Sequence, residues 1–150
     1  MPSSVFTANQ ILTTNEMNSL PFGGVATAST GTTQTGITTI ADLTGLSVTF
    51  TALALRRYLI LAQVNFRQIS ASGLVIVQIV RGTSTVLNSA LMNLSAASDY
   101  GTLSCMYAEV PGAGSTTYKL RASTSAGTLT INPNGSSDYL STIRVIDIGQ

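Results

Sequence analysis

Residues 56–81 constrain the fold of this chain more than any other stretch of the sequence. They predict two long β-strands joined by a loop of small, turn-forming residues at 70–73, the arrangement of a hairpin. Alternate side chains of a strand point to the same face of a sheet. The two strands therefore present these apolar residues on one face, with Arg81 at its end: Tyr58, Ile60, Ala62, Val64, Phe66, Val75, Val77 and Ile79.

The opposite faces of the two predicted strands are also largely apolar. In the first strand this face begins apolar and becomes polar over residues 63–67, and in the second it is apolar except for Gln78. Antiparallel strands of a monomer usually have one solvated face, so we expect copies of the same chain to cover the second face here. The predicted oligomer interface consists of Leu59, Leu61, Leu74, Ile76, Gln78 and Val80.

The composition fits a single domain that carries few charged residues. The chain has 150 residues, of which 9% are charged and which carry a net charge of +1, whereas about 25% are charged in an ordinary domain. This balance gives no electrostatic reason to expect nucleic acid or a membrane surface as a partner. No apolar run reaches the roughly 18 residues that span a bilayer, and the N-terminus lacks the pattern of a secretory signal. The single Cys105 excludes an internal disulfide and is predicted to be a small buried residue.

Residues 1–24 predict an N-terminal arm. Their apolar residues are too many for a free tail and too irregularly spaced for a domain: Phe6, Ile11, Leu12, Met17, Leu20 and Phe22. We expect this arm to dock on a neighbouring subunit or on a larger assembly. The alternative is a strap over the chain's own core, because termini are often tied down in this way.

The rest of the chain predicts an all-β domain. Residues 25–45 are almost wholly small or β-branched and predict a linker or an extended edge segment, because β-branched residues disfavour helix. Residues 46–150 predict a β-domain of eight closely spaced strands. That number favours a jelly roll over an immunoglobulin sandwich, and the Cys…Trp…Cys pattern of the latter is missing. The predicted fold is an eight-stranded antiparallel jelly-roll sandwich with an N-terminal extended arm.

The sequence gives little support for catalysis. It contains no histidine, which excludes Ser-His-Asp and Cys-His triads and most zinc sites. Glycoside hydrolysis needs two facing carboxylates, whereas Asp138 and Asp147 would lie about 30 Å apart along one extended strand. No Gly-rich segment is followed by Lys-Ser or Lys-Thr, so no phosphate loop is predicted. We expect no enzymatic activity, no cofactor and no metal site.

Two tyrosines are the candidate ligand contacts. Tyr100 and Tyr139 each follow an aspartate at a predicted loop end, whereas the aromatic residues of the strands fall on inward faces, where core packing explains them. A carbohydrate-binding module that uses these two rings is therefore an alternative function. It would be a monomer that loses sugar affinity when either ring is removed.

Four segments resemble small virion proteins of tailed bacteriophages: residues 6–23 (FTANQILTTNEMNSLPFG), 26–67, 113–123 (AGSTTYKLRAS) and 139–149 (YLSTIRVIDIG). The resemblance implies a trimeric jelly roll of the complement and tumour-necrosis-factor type, mounted on the virion as a minor tail or fibre component or as a capsid decoration protein. It also implies other virion proteins as partners and, for a tail protein, a host-surface glycan. The sequence has no collagen-like or coiled-coil shaft, which favours decoration over a long-fibre role. The leading segment favours the tail, and we take a tail component as the first hypothesis and decoration as the second.

Overall fold

The computed structural model describes residues 20–133, 135 and 140–150. The regular secondary structure of these residues is β-structure, and they include no helix of the length and apolar character that crossing a membrane requires. The strands are, in chain order, β1 Gly23–Thr30, β2 Gln34–Ile37, β3 Ala41–Ala52, β4 Arg57–Ile69, β5 Gly73–Arg81, β6 Thr85–Leu94, β7 Tyr100–Glu109, β8 Gly114–Thr124, β9 Thr128–Ile131 and β10 Ser141–Gly149.

The strands form two antiparallel sheets that pack face to face. In sheet A, which has six strands, the order is β1-β10-β4-β9-β2, and β7 pairs with the other side of β4. In sheet B, which has four strands, the order is β3-β8-β5-β6. Every neighbouring pair is antiparallel. The predicted all-β, antiparallel jelly-roll sandwich is confirmed, with ten strands among the described residues in place of the eight predicted.

The additional strands come from residues 25–45, which were predicted to be a linker or an edge segment. They form most of β1, all of β2 and the start of β3, and both β1 and β2 lie at edges of sheet A. Of the residues in β1 and β2, only Ile37 is fully buried. Strands that bury so few side chains show little alternation of apolar and polar residues, so they are hard to identify from sequence.

The predicted hairpin at residues 56–81 is wrong, because β4 and β5 belong to different sheets. β4 pairs with β7, β10 and β9, whereas β5 pairs with β6 and β8. The short connection between them crosses from one sheet to the other. Alternation identifies a strand and its inward face, but it does not identify the strand's neighbours. The outward faces of β4 and β5 therefore lie on opposite sides of the sandwich.

The inward faces agree with the sequence prediction. The alternating residues of β4 and β5 are buried between the sheets, as are Tyr118, Leu120 and Ala122 of β8. Cys105 is also buried there, as predicted. The core is thus a layer of mainly aliphatic side chains from both sheets, with Tyr58, Phe66 and Tyr118 as its largest fully buried rings.

A buried polar group fixes each end of the sandwich. At the arm end, where β1 begins and β10 ends, the Arg56 guanidinium donates hydrogen bonds to Asp147 Oδ1 at 2.6 Å and Oδ2 at 2.9 Å, and both residues are buried. At the opposite, distal end, Asn132 has a φ of 48° and is fully buried. Its amide donates to the carbonyl of Thr30 at 3.0 Å, and its Oδ1 accepts a hydrogen bond from Ser141 at 2.6 Å. Asparagine tolerates the left-handed conformation better than most residues.

Candidate interaction surfaces

The outward face of sheet A, which we call the sheet A face, is apolar in its half nearer the arm end. Its apolar side chains come from adjacent strands: Leu59 and Leu61 of β4, Met106 and Ala108 of β7, and Ile146 of β10. Because partners in an antiparallel ladder share a face at close range, these side chains form one continuous group. Met106 is the most exposed large residue of the group, with 62% of its surface accessible. A continuous exposed apolar group of this kind is typical of an interaction surface.

The half of the sheet A face nearer the distal end is polar. It consists of Gln63, Asn65 and Arg67 of β4, Tyr100, Thr102 and Ser104 of β7, and Thr142 of β10. The Thr102 hydroxyl donates a hydrogen bond to Asn65 Oδ1 at 2.6 Å. The Arg67 guanidinium carbon lies 5.2 Å from the centroid of the Tyr100 ring. The change from apolar to polar along β4 was visible in the sequence.

A shallow depression of about 400 Å³ lies where the two halves meet. Its outward-facing lining residues are Leu61, Gln63, Ser104, Met106, Thr142 and Arg144. Arg144 is exposed, and no ion pair links it to a carboxylate of the residues the structure describes. The depression is open to solvent and is lined by both apolar and polar side chains.

The outward face of sheet B is mostly polar. Asp42 forms ion pairs with Lys119 and Arg121, and these hydrogen bonds, that of Lys119 first, hold the pKa of the Asp42 carboxyl below its usual range. Thr49 and Thr117 share a hydrogen bond of 2.7 Å. A smaller apolar group, Leu74, Ile76 and Leu91, lies on this face between Gln78, Ser89, Asn93 and Ser123.

The structure therefore divides the predicted oligomer interface. Leu59 and Leu61 lie on the sheet A face, whereas Leu74, Ile76 and Gln78 lie on the outward face of sheet B, so the five cannot form one surface. Val80 has none of its surface accessible and must be removed from the prediction. It lies between its ladder partners Lys119 and Val86, beside a β-bulge.

Two prominent residues of the sheet A face were missed by the sequence prediction. Met106 and Ile146 alternate with buried residues of β7 and β10, and that alternation could have placed them on an outward face. It could not have placed them beside Leu59 and Leu61, because this depends on which strands flank β4. The interface was therefore assigned to the next strand in the chain, which lies in the other sheet.

The root of the predicted docking arm packs on the sandwich of the same chain at the arm end. The Leu20 carbonyl accepts a hydrogen bond from the Arg56 guanidinium at 2.5 Å. The central carbon of the same guanidinium lies 4.1 Å from the centroid of the Phe22 ring. Leu53 and Leu55, in the connection before β4, are exposed at the same end. The other predicted arm residues, Phe6, Ile11, Leu12 and Met17, lie outside the described part of the chain.

Of the two candidate ligand contacts, the structure describes Tyr100. Its ring is 59% accessible and lies at the distal end of the sheet A face. Tyr139 lies outside the described residues. Arg67 of β4 is the ladder partner of Tyr100, and Thr130 of β9 is the partner of Arg67 on its other side.

The surroundings of the titratable residues Cys105 and Glu109 indicate structural roles for them. Burial raises the pKa of the Cys105 thiol to about 11, which disfavours the reactive thiolate at neutral pH. Glu109 accepts a hydrogen bond from the Tyr118 hydroxyl at 2.8 Å and pairs with Arg81 at 2.6 Å. Within residues 20–133, 135 and 140–150 no three His, Cys, Asp or Glu side chains are grouped so that they could hold a metal ion.

No known family description matches the chain, and no curated protein matches it significantly. Similar solved structures include Eiger TNF from S. frugiperda, at 10% identity over 85% of this chain and 94% of that one, with a TM-score of 0.48. The insecticidal delta-endotoxin Cry8Ea1 from Bacillus thuringiensis is similar at 12% identity over 81% of this chain and 19% of that one, with a TM-score of 0.42. The sugar-binding EclA C-terminal domain is similar at 17% identity over 77% and 76%, with a TM-score of 0.39. Likeness at this level carries no conclusion about what this chain binds.

Proposed function

We propose that this chain is a non-enzymatic structural protein of a bacteriophage virion. In this proposal it is a homotrimer that buries the apolar half of the sheet A face between subunits and is mounted through its N-terminal arm as a minor tail or fibre component. The observation that carries the proposal is the contrast between the two outward faces. The sheet A face exposes a continuous apolar group, whereas most of the sheet B face bears ion pairs and hydroxyl groups.

Assembly would gain free energy from the apolar side chains that one subunit leaves exposed or partly exposed. Burial of an aliphatic or methionine side chain contributes about 1.5–3 kcal/mol when it is complete. Leu59, Leu61 and Ile146 are only partly exposed in one subunit, so each has a fraction of this left to gain, and Met106 has more. Summed over several residues in each of three copies, the gain offsets the entropy lost on association. The threefold symmetry itself comes from the resemblance to phage virion proteins.

A pair of matched variants tests which face is buried. Leu61→Lys and Ile76→Lys each place a charge at a partly exposed aliphatic position in an inner strand of its sheet, on opposite faces of the sandwich. A charge buried without a partner at an interface is costly, so Leu61→Lys should dissociate the oligomer and Ile76→Lys should not. Sedimentation velocity measures the assembly, and circular dichroism confirms that both variants are folded. Dissociation by Ile76→Lys alone would refute the assignment of the sheet A face.

The virion role is supported by the sequence resemblance and by the arrangement of the two ends. The arm leaves the sandwich at the end held by Arg56 and Asp147, so the loops near Tyr100 would face away from the mounting point. Antibody labelling of intact phage particles tests this role by electron microscopy. Label on the tail supports a tail component, and label on the head supports the alternative, a capsid decoration protein. Absence of the protein from particles would refute both.

A further inference from the structure

The distal end of the sheet A face carries a row of three side chains with unusual surroundings. Tyr100 of β7, Arg67 of β4 and Thr130 of β9 are successive ladder partners, so they share one face. The β-carbons of such partners lie about 5 Å apart, which places the exposed aromatic ring and the guanidinium within reach of one small ligand, with the buried Thr130 next to Arg67 in the ladder. The segment before Tyr100 is held in place by two backbone hydrogen bonds. The Gln68 backbone N–H donates to the Asp99 carbonyl at 3.0 Å, and the Ser98 backbone N–H donates to the Gln68 backbone carbonyl at 2.8 Å.

Arg67 is partly buried and has no carboxylate partner among the described residues, whereas the other arginines without one, Arg57 and Arg144, are exposed. Arg56, Arg81 and Arg121 each form an ion pair, whereas the Arg67 side chain has neither an ion pair nor a hydrogen bond with any described residue. Its Nε is buried and unpartnered, and its contact in the structure is with the Tyr100 ring. A partly buried cation without a counter-ion is unfavourable, and an anionic ligand would relieve this.

Thr130 is a second, independent sign of a missing partner. Its surface is 4% accessible, and its Oγ1 forms no hydrogen bond. Nearly all buried polar groups in proteins have a hydrogen-bond partner, so two such atoms on adjacent residues of one ladder are exceptional. Beside them, the hydrogen-bonded pair Asn65 and Thr102 continues the polar surface toward the centre of the sheet A face.

We propose that Tyr100 and Arg67 form a binding site for an acidic saccharide, recognised through its carboxylate. The guanidinium matches a carboxylate with two parallel hydrogen bonds, and the exposed ring offers an apolar surface to the C–H face of a sugar. A neutral sugar would leave the guanidinium unpaired, and an inorganic anion would not use the ring. This inference rests on the proposed virion function, in which the distal end faces outward, and it names the class of host-surface ligand.

The test is binding of the full chain to the methyl glycoside of N-acetylneuraminic acid and to glucuronic acid, with N-acetylglucosamine as the neutral probe. Titration calorimetry or saturation-transfer NMR should show binding of at least one acidic sugar in preference to the neutral one. Arg67→Gln and Tyr100→Ala should each weaken it about tenfold or more, which corresponds to the loss of one charge-assisted or stacking contact. Arg57→Gln, which removes an exposed arginine from the arm end of the same strand, is the matched control and should leave binding unchanged.

Equal binding of acidic and neutral sugars, no binding of either acidic sugar, or an equal loss in Arg57→Gln would overturn the inference. Melting temperatures of the variants identify any loss that comes from misfolding, and Arg67→Lys, which keeps the charge but not the paired donors, should still lose most of the affinity. Failure of this binding site can be distinguished from failure of the proposed function. A trimer found on particles that ignores acidic sugars refutes the site alone, and a monomer absent from particles that binds them refutes the virion role alone.

Discussion

Replacement of Met106 by lysine should dissociate the oligomer while leaving each subunit folded. Met106 lies on β7, an edge strand of sheet A, and 62% of its surface is accessible in one subunit. A lysine at such a position can extend into water in the free subunit, so the fold itself should tolerate the change. In the proposed oligomer, however, the same position faces another copy across the apolar half of the sheet A face.

The magnitude follows from the part of Met106 that remains exposed. Full burial of methionine contributes about 1.5–3 kcal/mol, and the exposed 62% corresponds to about 1–2 kcal/mol per subunit. Over three subunits the loss is about 3–6 kcal/mol, before any penalty for removing the lysine charge from water. The association constant of a trimer should therefore fall by about two to four powers of ten or more. Native mass spectrometry and sedimentation over a dilution series would detect a change of this size.

Leu91→Lys is the matched control for this experiment. Leu91 is 57% accessible and lies on β6, an edge strand of sheet B, so the two variants introduce the same charge at nearly the same exposure on opposite faces. We expect Leu91→Lys to assemble like the wild type, with a stability within about 0.5 kcal/mol of it. The reasoning would be refuted if Met106→Lys assembled normally, or if both variants dissociated to the same extent.

Three further predictions concern the stability and reactivity of the subunit. Burial raises the pKa of the Tyr118 hydroxyl far above its ordinary value, and its hydrogen bond to Glu109 adds to the increase, so the folded state holds this proton more tightly than the unfolded state. The stabilisation by this proton is present below about pH 10 and is lost as the pH rises further. Denaturation curves should therefore show a smaller loss of stability at alkaline pH for Tyr118→Phe than for the wild type. An equal loss in the two proteins would contradict this assignment. Asp147→Asn removes the carboxylate that pairs with the buried Arg56 at 2.6 Å and should lower the free energy of unfolding by about 3–5 kcal/mol in urea titrations, whereas a change within experimental error would show that the pair is dispensable. Cys105 is buried with a pKa of about 11, so a thiol reagent at neutral pH should modify it only after denaturation, and rapid modification of the native chain would show that β7 opens.

The sequence predicted the inward faces of the long strands correctly because their alternation of apolar and polar residues is regular. Every residue assigned to the core face of β4 is buried, from Tyr58 to Phe66. The same alternation did not reveal that β4 and β5 lie in different sheets, since pairing depends on contacts between strands that are distant in the chain. The interface prediction therefore combined Leu61 and Ile76, which lie on opposite sides of the sandwich.

The candidate ligand site was predictable only in part. Tyr100 was identified from its position at a loop end, and its exposure in the structure is consistent with a contact role. Nothing in the sequence associates Tyr100 with Arg67 or Thr130, because the three residues come from strands whose ladder is set by the tertiary fold. The missing hydrogen-bond partners of Arg67 Nε and Thr130 Oγ1 are likewise visible only when the neighbouring atoms are in place.

The central claim is that one subunit exposes an apolar sheet face that other copies cover, and the mass of the purified wild-type chain in solution tests it most directly. Multi-angle light scattering should give three times the 15.6 kDa of one chain, at concentrations down to the micromolar range. A stable mass of 15.6 kDa throughout the same concentration range would contradict this claim, because Met106 would then remain exposed to water and Leu59 and Leu61 partly exposed, as in the single chain.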